Sequence, residues 1–423
     1  MSIQLYQAQK IETLFSEMIG QILQERKEKG LFYTPSIIIP NPSYKNWLQA
    51  KIARKYSIAY NFRYMGLEES FFYLYKQLGQ ETELVEELPL QVSQIKVLLV
   101  AALTIHLEKQ PVTEELQVFW QYLYLNGKKR QDYSIRLWQL ATRIARYFRE
   151  YEYHSTQSRK LIYLWIRENW QSVGSEREWE NAQAYLYRVV FAKGKILSQF
   201  NQFLYKQKYQ EHKSLYILAK KYAKRLSEKQ EPQEKETIYI FAMQNYSSFH
   251  FQVLRNLAKF YQFKVYLRSF AAESEQEKGN FFYQCAKAKR NSLLLIGEQR
   301  LFWLKEKIQG NHLLARLQRW DNQKNLGRQD SSIQVFSAPG IYREVETVYH
   351  SILYNLEQNP KLQLQQISIY TSDIKAYKAA IKGVFARGKE KLPYTIQDAN
   401  VKSESIYSKA ILSLHLLVGD LFW

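Results

Sequence analysis

The chain has 423 residues, of which 46% are hydrophobic and 24% charged; this composition suits a globular protein of two or three domains and excludes a disordered one. Sixty Lys and Arg against forty Asp and Glu leave a net charge of +20, which favours a polyanionic partner such as nucleic acid. The single cysteine, Cys285, excludes a disulfide framework, a four-cysteine iron–sulfur cluster and a multi-cysteine zinc site within the chain.

The apolar segments indicate neither secretion nor a membrane partner. Residues 1–23 carry Lys10, Glu12 and Glu17 within a helical pattern, so we expect no secretory signal. The longest strongly apolar run, residues 97–107, is too short to span a bilayer and predicts a buried core helix. We therefore expect a protein of the reducing cytoplasm.

The first 83 residues predict an α/β domain with the order strand, helix, strand, helix. Residues 3–8 and 37–39 have the pattern of strands, and residues 46–55 that of a helix. The first helix is predicted by an apolar face, which consists of Ile11, Leu14, Phe15, Met18 and Ile22.

The segment between the second strand and its helix, residues 40–45, does not suit a nucleotide phosphate. A phosphate-binding loop of the P-loop type needs glycines and a terminal Gly-Lys-Ser/Thr, whose backbone N–H groups surround the phosphate. This segment has no glycine, and Pro40 and Pro42 each remove an N–H donor. We expect Lys45 to lie at the surface or to contact a DNA backbone.

Residues 84–226 predict a large helical insertion in this first domain. One helix is clearly amphipathic, and its apolar face consists of Leu137, Leu140, Ala141, Ile144, Phe148 and Tyr151. Arg136, Arg143, Arg146 and Arg149 lie off that face. Strand patterns return at residues 238–243 and 263–267, so residues 237–318 are predicted to complete the first α/β domain.

Residues 330–423 predict the start of a second α/β domain. Strand patterns at 331–337, 367–370 and 392–396 alternate with helical spacing, which is typical of a parallel sheet. Residues 383–389 match G-x-x-x-x-G-K, but Glu390 stands where a metal-binding hydroxyl is needed and the helix precedes the loop. We interpret that match as a helix end and turn at Gly388.

Several blocks along the chain carry a resemblance to a known family. They are Leu5-Tyr6, Asn46-Trp47-Leu48, Ile58-Ala59 with Asn61, Gln139-Leu140-Ala141, Ile240-Phe241, residues 291–294, Ser331-Ser332-Ile333, Arg343-Glu344-Val345-Glu346, Phe385 and Leu392-Pro393-Tyr394. In these blocks most of the chain resembles the RecC or gamma-chain family of exodeoxyribonuclease V, and its second α/β unit is similar to the start of the second motor domain of superfamily 1 DNA helicases. Family chains are much longer, so this chain resembles their N-terminal portion only.

The resemblance implies a superfamily 1 helicase-like, P-loop-type α/β core without a functional P-loop. Such chains hydrolyse no ATP, hold RecB-like and RecD-like motor subunits, and guide single-stranded and duplex-end DNA during recombinational repair. It implies no catalytic residue, metal or cofactor in this chain. The residues that it places along the DNA channel are Asn41, Ser43, Tyr44, Lys45, Phe72, Arg146 and Arg149.

This chain departs from the family pattern at the channel. Family members have glutamine where Pro40 stands, leucine at Gly66, tryptophan at Phe72 and carboxylates at Arg146 and Arg149. Arginine cannot accept a hydrogen bond from a base, so the resemblance here predicts contacts to phosphates and leaves recognition of the family's recombination hotspot open.

Two other classes of function stay open on the sequence alone. The chain could be an active ATP-dependent helicase or a nuclease chain similar to AddB, although neither Gly-Lys-Ser/Thr after a strand nor a nuclease motif is evident. A basic module that binds RNA or a membrane surface would also account for the charge.

Overall fold

The computed structural model describes residues 2–30, 32–57, 59–78, 86–109, 111–154, 161–166, 177–192, 194–205, 210–243, 246–268, 300–304, 312–319, 330–387 and 391–396. The chain forms two compact units, Met1–Lys307 and Ile308–Trp423. The finer division into four predicted segments stays a prediction.

The first unit contains ten strands and eleven helices among its described residues. The strands are β1 (Ile3–Ala8), β2 (Ser36–Ile38), β3 (Arg63–Met65), β4 (Glu86–Pro89), β5 (Tyr124–Leu125), β6 (Lys128–Lys129), β7 (Gln210–Lys213), β8 (Glu236–Phe241), β9 (Tyr261–Arg268) and β10 (Arg300–Trp303). The helices are α1 (Ile11–Lys29), α2 (Pro42–Tyr56), α3 (Leu67–Leu78), α4 (Val92–Leu107), α5 (Gln117–Leu123), α6 (Tyr133–His154), α7 (Leu161–Trp165), α8 (Arg177–Phe191), α9 (Ile196–Tyr205), α10 (Leu215–Ser227) and α11 (Ser248–Leu257). A 3₁₀ turn, Glu114–Leu116, precedes α5.

Six strands form one sheet in the order β10-β1-β9-β8-β2-β3. Every pairing in this sheet is parallel; for example, Leu5 lies opposite Val265 and Ile37 opposite Tyr239. The unit is therefore an α/β structure with a parallel sheet. The inner strands β2 and β8 are buried along almost all of their length, as expected for a sheet covered on both faces.

Helices cover both faces of the sheet. On one face, α1 and α2 pack through Leu14, Met18 and Leu48 against strand residues such as Ile37. On the other, α3, α10 and α11 pack against residues of alternate parity such as Ile38 and Ile240. Because side chains alternate across a strand, neighbouring residues Ile37 and Ile38 belong to different layers.

Helices α4 to α9 share a core of their own. Its apolar centre includes Leu99, Phe119, Phe148, Trp165 and Tyr187, all nearly inaccessible. The predicted core helix over residues 97–107 is present as α4, although Val97 and Ile105 are exposed. Within the described residues, no helix is long and apolar enough to cross a membrane.

The second unit differs from its predicted pattern. Its described elements are the helices α12 (Leu313–Arg319), α13 (Ile341–Gln358) and α14 (Ile374–Arg387) and a 3₁₀ turn, Leu364–Gln366. The three segments predicted as strands, 331–337, 367–370 and 392–396, belong to no strand in the structure. Val335 and Tyr370 are 92% and 91% exposed, and within the described residues these segments pair with no other strand.

The predicted helix at residues 46–55 is also corrected. α2 begins at Pro42, because Pro is favoured at the first position of a helix and Asn41 caps it. Ser43, Tyr44 and Lys45 therefore lie in the first turn of α2 rather than in a loop.

Candidate nucleic-acid interface

The N-terminus of α2 lies at the carboxyl end of the parallel strand β2 and presents polar groups to solvent. The side chain of Asn41 accepts a hydrogen bond from the backbone N–H of Ser43 at 3.0 Å. Asn41, Ser43 and Lys45 are all exposed. Since a helix N-terminus carries free N–H groups and a partial positive charge, this end can attract phosphate, with Lys45 adding a full charge.

Tyr44 has a structural contact at the same helix end. Its ring meets the ring of Phe241 edge-on, with centroids 6.4 Å apart, and Trp47 stacks on Phe241 at 6.1 Å. Phe241 ends β8, so the two rings attach α2 to the sheet. Tyr44 is half-buried, which leaves only part of its ring for a ligand.

Phe72 is half-buried on α3 and packs at the border of the core. Its ring lies 6.4 Å from that of Tyr222, whereas its neighbour Phe71 is only 1% exposed. Phe72 therefore contributes to packing, and one part of its ring stays accessible.

Arg146 and Arg149 have opposite environments on α6. Arg146 is exposed, but Arg149 is 7% exposed, and its Nη1 donates to the Glu152 carboxylate at 3.1 Å. Its Nη2 donates to the Leu90 carbonyl. The prediction that Arg149 holds a DNA backbone does not fit this geometry, because the guanidinium is committed inside the fold.

The Arg149–Glu152 pair belongs to a buried polar network that joins several helices. Glu152 also accepts hydrogen bonds from Ser214 Oγ at 2.5 Å and from Tyr187 Oη at 3.1 Å. Burial raises the pKa of the Glu152 carboxyl, and the charge of Arg149 opposes that shift. Ser214 is the N-cap of α10, so the network connects α6, α8 and α10.

The predicted site residues lie at three places, which are the N-terminal end of α2, Phe72 on α3, and Arg146 with Arg149 on α6. Asn41, Ser43, Tyr44 and Lys45 share one helix end. No hydrogen bond, ion pair or ring contact among the described residues joins that end to Phe72 or to Arg146. Helices α6 and α3 are joined instead by a hydrogen bond that the Tyr153 hydroxyl on α6 donates to Glu68 on α3.

Sequence reasoning missed Tyr147, which lies beside Arg146 and one turn from Arg143. Tyr147 is 46% exposed and its ring stacks on Tyr151 at 6.2 Å. Arg143 is also exposed. The spacing of 143, 146 and 147 could have indicated this mixed basic and aromatic face, because residues three and four apart share a helix surface.

The connections that follow β1 and β2 lack the glycines of a phosphate-binding loop. Only Gln9 and Lys10 separate β1 from α1, and residues 39–41 separate β2 from α2; neither connection contains a glycine. Gly383, which begins the G-x-x-x-x-G-K match, lies inside α14. Gly388 and Lys389 lie outside the described residues. The described part of the chain also has no group of three His, Cys, Asp or Glu that could share a metal ion.

Comparison with known proteins identifies a matching family and a similar curated protein. The family described as RecC, N-terminal domain, matches residues 3–359. The RecBCD enzyme subunit RecC of Escherichia coli (strain K12) is 33% identical over 106 residues, which are 25% of this chain and 9% of that protein. The aligned stretch thus spans about a tenth of the curated relative. The family match covers most of the present chain, so the chain belongs to the RecC N-terminal-domain family.

Proposed function

We propose that this member of the RecC family is a non-catalytic subunit of a RecBCD-type exodeoxyribonuclease V and guides single-stranded DNA in double-strand break repair. The observation that carries the proposal is the family match over residues 3–359. The net charge of +20 supports a nucleic-acid partner.

The absence of a Gly-Lys-Ser/Thr loop in the sequence supports a helicase-like core that has no ATPase activity. RecB-like and RecD-like motor subunits would then supply ATP hydrolysis, and this chain would bind DNA and hold the motors. No cofactor or metal is needed for that role.

The DNA contacts in this proposal come from three places. The N-terminal turn of α2, with Asn41, Ser43 and Lys45, would hold phosphates. Arg146 would add a cation from α6, and the accessible part of the Phe72 ring would stack on a base. Because arginine replaces an expected acid at position 146, we propose backbone contacts there rather than hotspot recognition.

Capture of the tagged chain from its native cell tests the partner proposal. Mass spectrometry should identify RecB-like and RecD-like motor proteins at near-stoichiometric levels after a salt wash. Recovery of ribosomal or membrane proteins without those motors would contradict the proposal.

Hydrolysis of ATP by the purified chain tests the absence of catalysis. We expect no turnover with or without single-stranded DNA. DNA-stimulated turnover that Lys45→Ala or Lys389→Ala abolishes would show that one of these lysines binds nucleotide after all.

A further inference from the structure

The second unit contains an open groove along α13. It is about 500 Å³ in volume and lies between the extended segment around Gln334 and Phe336 and one stripe of the helix, residues Arg343, Glu346, His350 and Tyr354. Two small hydroxyl residues, Thr347 and Ser351, complete the lining. These groove residues lie on a different side of α13 from Val345, Tyr349 and Ile352, which pack toward α14.

The groove exposes two large aromatic side chains. Phe336 is 61% exposed and Tyr354 is 57% exposed. Isolated apolar residues are normal at a surface, but here two exposed rings line the same groove. Every nucleobase has a π-face that can stack on such a ring.

The polar groups of the groove suit the edges and backbone of a nucleotide. Arg343 Nη1 donates to the Glu346 carboxylate at 2.7 Å, and the Arg343 side chain is 73% exposed. A guanidinium has five N–H donors, so others can reach a phosphate or a base. Glu346 can accept from a base amino group, while Gln334 and His350 can donate or accept.

The lining favours a nucleotide over a peptide. A groove for a peptide helix or strand normally has aliphatic pockets for apolar side chains. None of the eight lining residues here is aliphatic. Rings that alternate with amide, imidazole and guanidinium groups are instead typical of proteins that bind unpaired bases.

We propose that this groove binds an unpaired nucleotide of single-stranded DNA, with Phe336 or Tyr354 stacked on the base and Arg343 beside the backbone. This site rests on the proposed function, since it needs the chain to meet single-stranded DNA. It adds a contact in the second unit to those proposed on α2, α3 and α6.

Photocrosslinking locates the contact and separates this inference from the wider proposal. The full chain is irradiated with oligo(dT) that carries 5-iodouracil, and crosslinked peptides are mapped by mass spectrometry. We expect a crosslink at Phe336 or Tyr354. Alanine at the ring that crosslinks, Phe336→Ala or Tyr354→Ala, should weaken oligo(dT) binding roughly five-fold to more than 100-fold, the range that corresponds to a base–aromatic stack of about 1–3 kcal/mol.

Tyr370→Ala is the matched control, because Tyr370 is 91% exposed in the same unit but does not line the groove. It should leave binding and crosslinking unchanged. If crosslinks map only to the first unit and the groove variants bind as the parent does, the groove inference is overturned while the proposed function stands. If the parent chain binds no oligo(dT), both are overturned.

Discussion

Single residues in strained or buried settings determine how the first unit is held together. Asn61 has a positive φ of 57°. Its Nδ2 donates to the Phe32 carbonyl at 2.7 Å and to the Tyr33 carbonyl at 3.3 Å, and its Oδ1 accepts from Thr34 at 2.7 Å. Asparagine tolerates the left-handed region better than most residues, and here its side chain also fixes the segment before β2.

Asn61→Ala should lower the free energy of unfolding by about 2–4 kcal/mol, because the left-handed backbone costs alanine ~1–2 kcal/mol and the side-chain hydrogen bonds are lost. Asn61→Gly keeps the backbone conformation and should lose less. Denaturant melts measure both. Asn126→Ala is the control, because Asn126 also has a positive φ, 49°, but lies in an exposed turn. The difference between the stability losses at the two positions then measures what the Asn61 side-chain hydrogen bonds contribute. Equal losses at both positions would show that the Asn61 bonds contribute nothing.

His250 is predicted to make stability depend on pH. Burial lowers the pKa of its imidazole to about 4, and the charge of Glu68 opposes that shift. The unfolded chain, whose histidines titrate near ~6.5, therefore binds a proton more tightly than the folded chain. The contribution of neutral His250 to the free energy of unfolding is complete above pH ~6.5. It is lost as pH falls toward the pKa of His250 in the folded state.

His250→Gln should make the decline in stability between pH 6.5 and 4.5 shallower, by up to about 1.4 kcal/mol per pH unit. Glutamine can retain the bond that His250 makes to the N–H of Ser247, because glutamine suits this third position of the helix. Denaturant melts across that pH range measure the slope. The exposed His350→Gln serves as control, and an unchanged slope in His250→Gln would refute the assignment.

At the scale of elements, α6 shows what an apolar pattern can and cannot predict. Its extent and most of its buried face follow from the spacing of Leu137, Ala141, Ile144 and Phe148. The burial of Arg149 does not follow, because its partners come from Glu152 on the same helix and from Leu90 far away in the chain. Only the assembled fold supplies those partners.

The two arginines of α6 provide a matched pair for experiment. Arg149→Ala should lower the free energy of unfolding by about 3–5 kcal/mol, because it leaves Glu152 buried without its counter-charge. Arg146→Ala should change stability by less than ~0.5 kcal/mol, as is usual for exposed residues. Thermal melts compare them directly.

The same two substitutions should affect binding to single-stranded DNA in the opposite order, with the larger effect at Arg146. Arg146→Ala should reduce the slope of log K against log salt by about 0.7, the value for one lost phosphate contact. Folded Arg149→Ala should keep the parent slope. A normal slope in Arg146→Ala would remove Arg146 from the interface.

For the whole molecule, the sequence predicts the parts that depend on local pattern. β1, the buried face of α1, β8 and β9 follow from apolar periodicity, and the helix-rich stretch from α4 to α10 follows from the change of period near residue 84. The sheet order does not follow, because β1 lies between β9 and β10, which are more than 250 residues away in the chain. Long-range pairing of this kind leaves no local signal.

The candidate site was predictable only in part for the same reason. The exposed positions Asn41, Ser43, Lys45 and Arg146 follow from polar character and from the resemblance to the family. The packing roles of Tyr44 and Phe72 depend on Phe241 and Tyr222, which the fold brings from distant elements. In the second unit, the strand patterns are present in the sequence but are not paired in the structure.

The salt dependence of binding to single-stranded DNA tests the central claim most directly. A fluorescent oligo(dT) is titrated with the full chain at several salt concentrations, and log K is plotted against log salt. If about six phosphates are contacted, the slope should be about −4, and oligonucleotides of different sequence should bind with similar affinity. Failure to bind, or a slope near zero, would contradict a DNA-guiding subunit that holds the phosphate backbone.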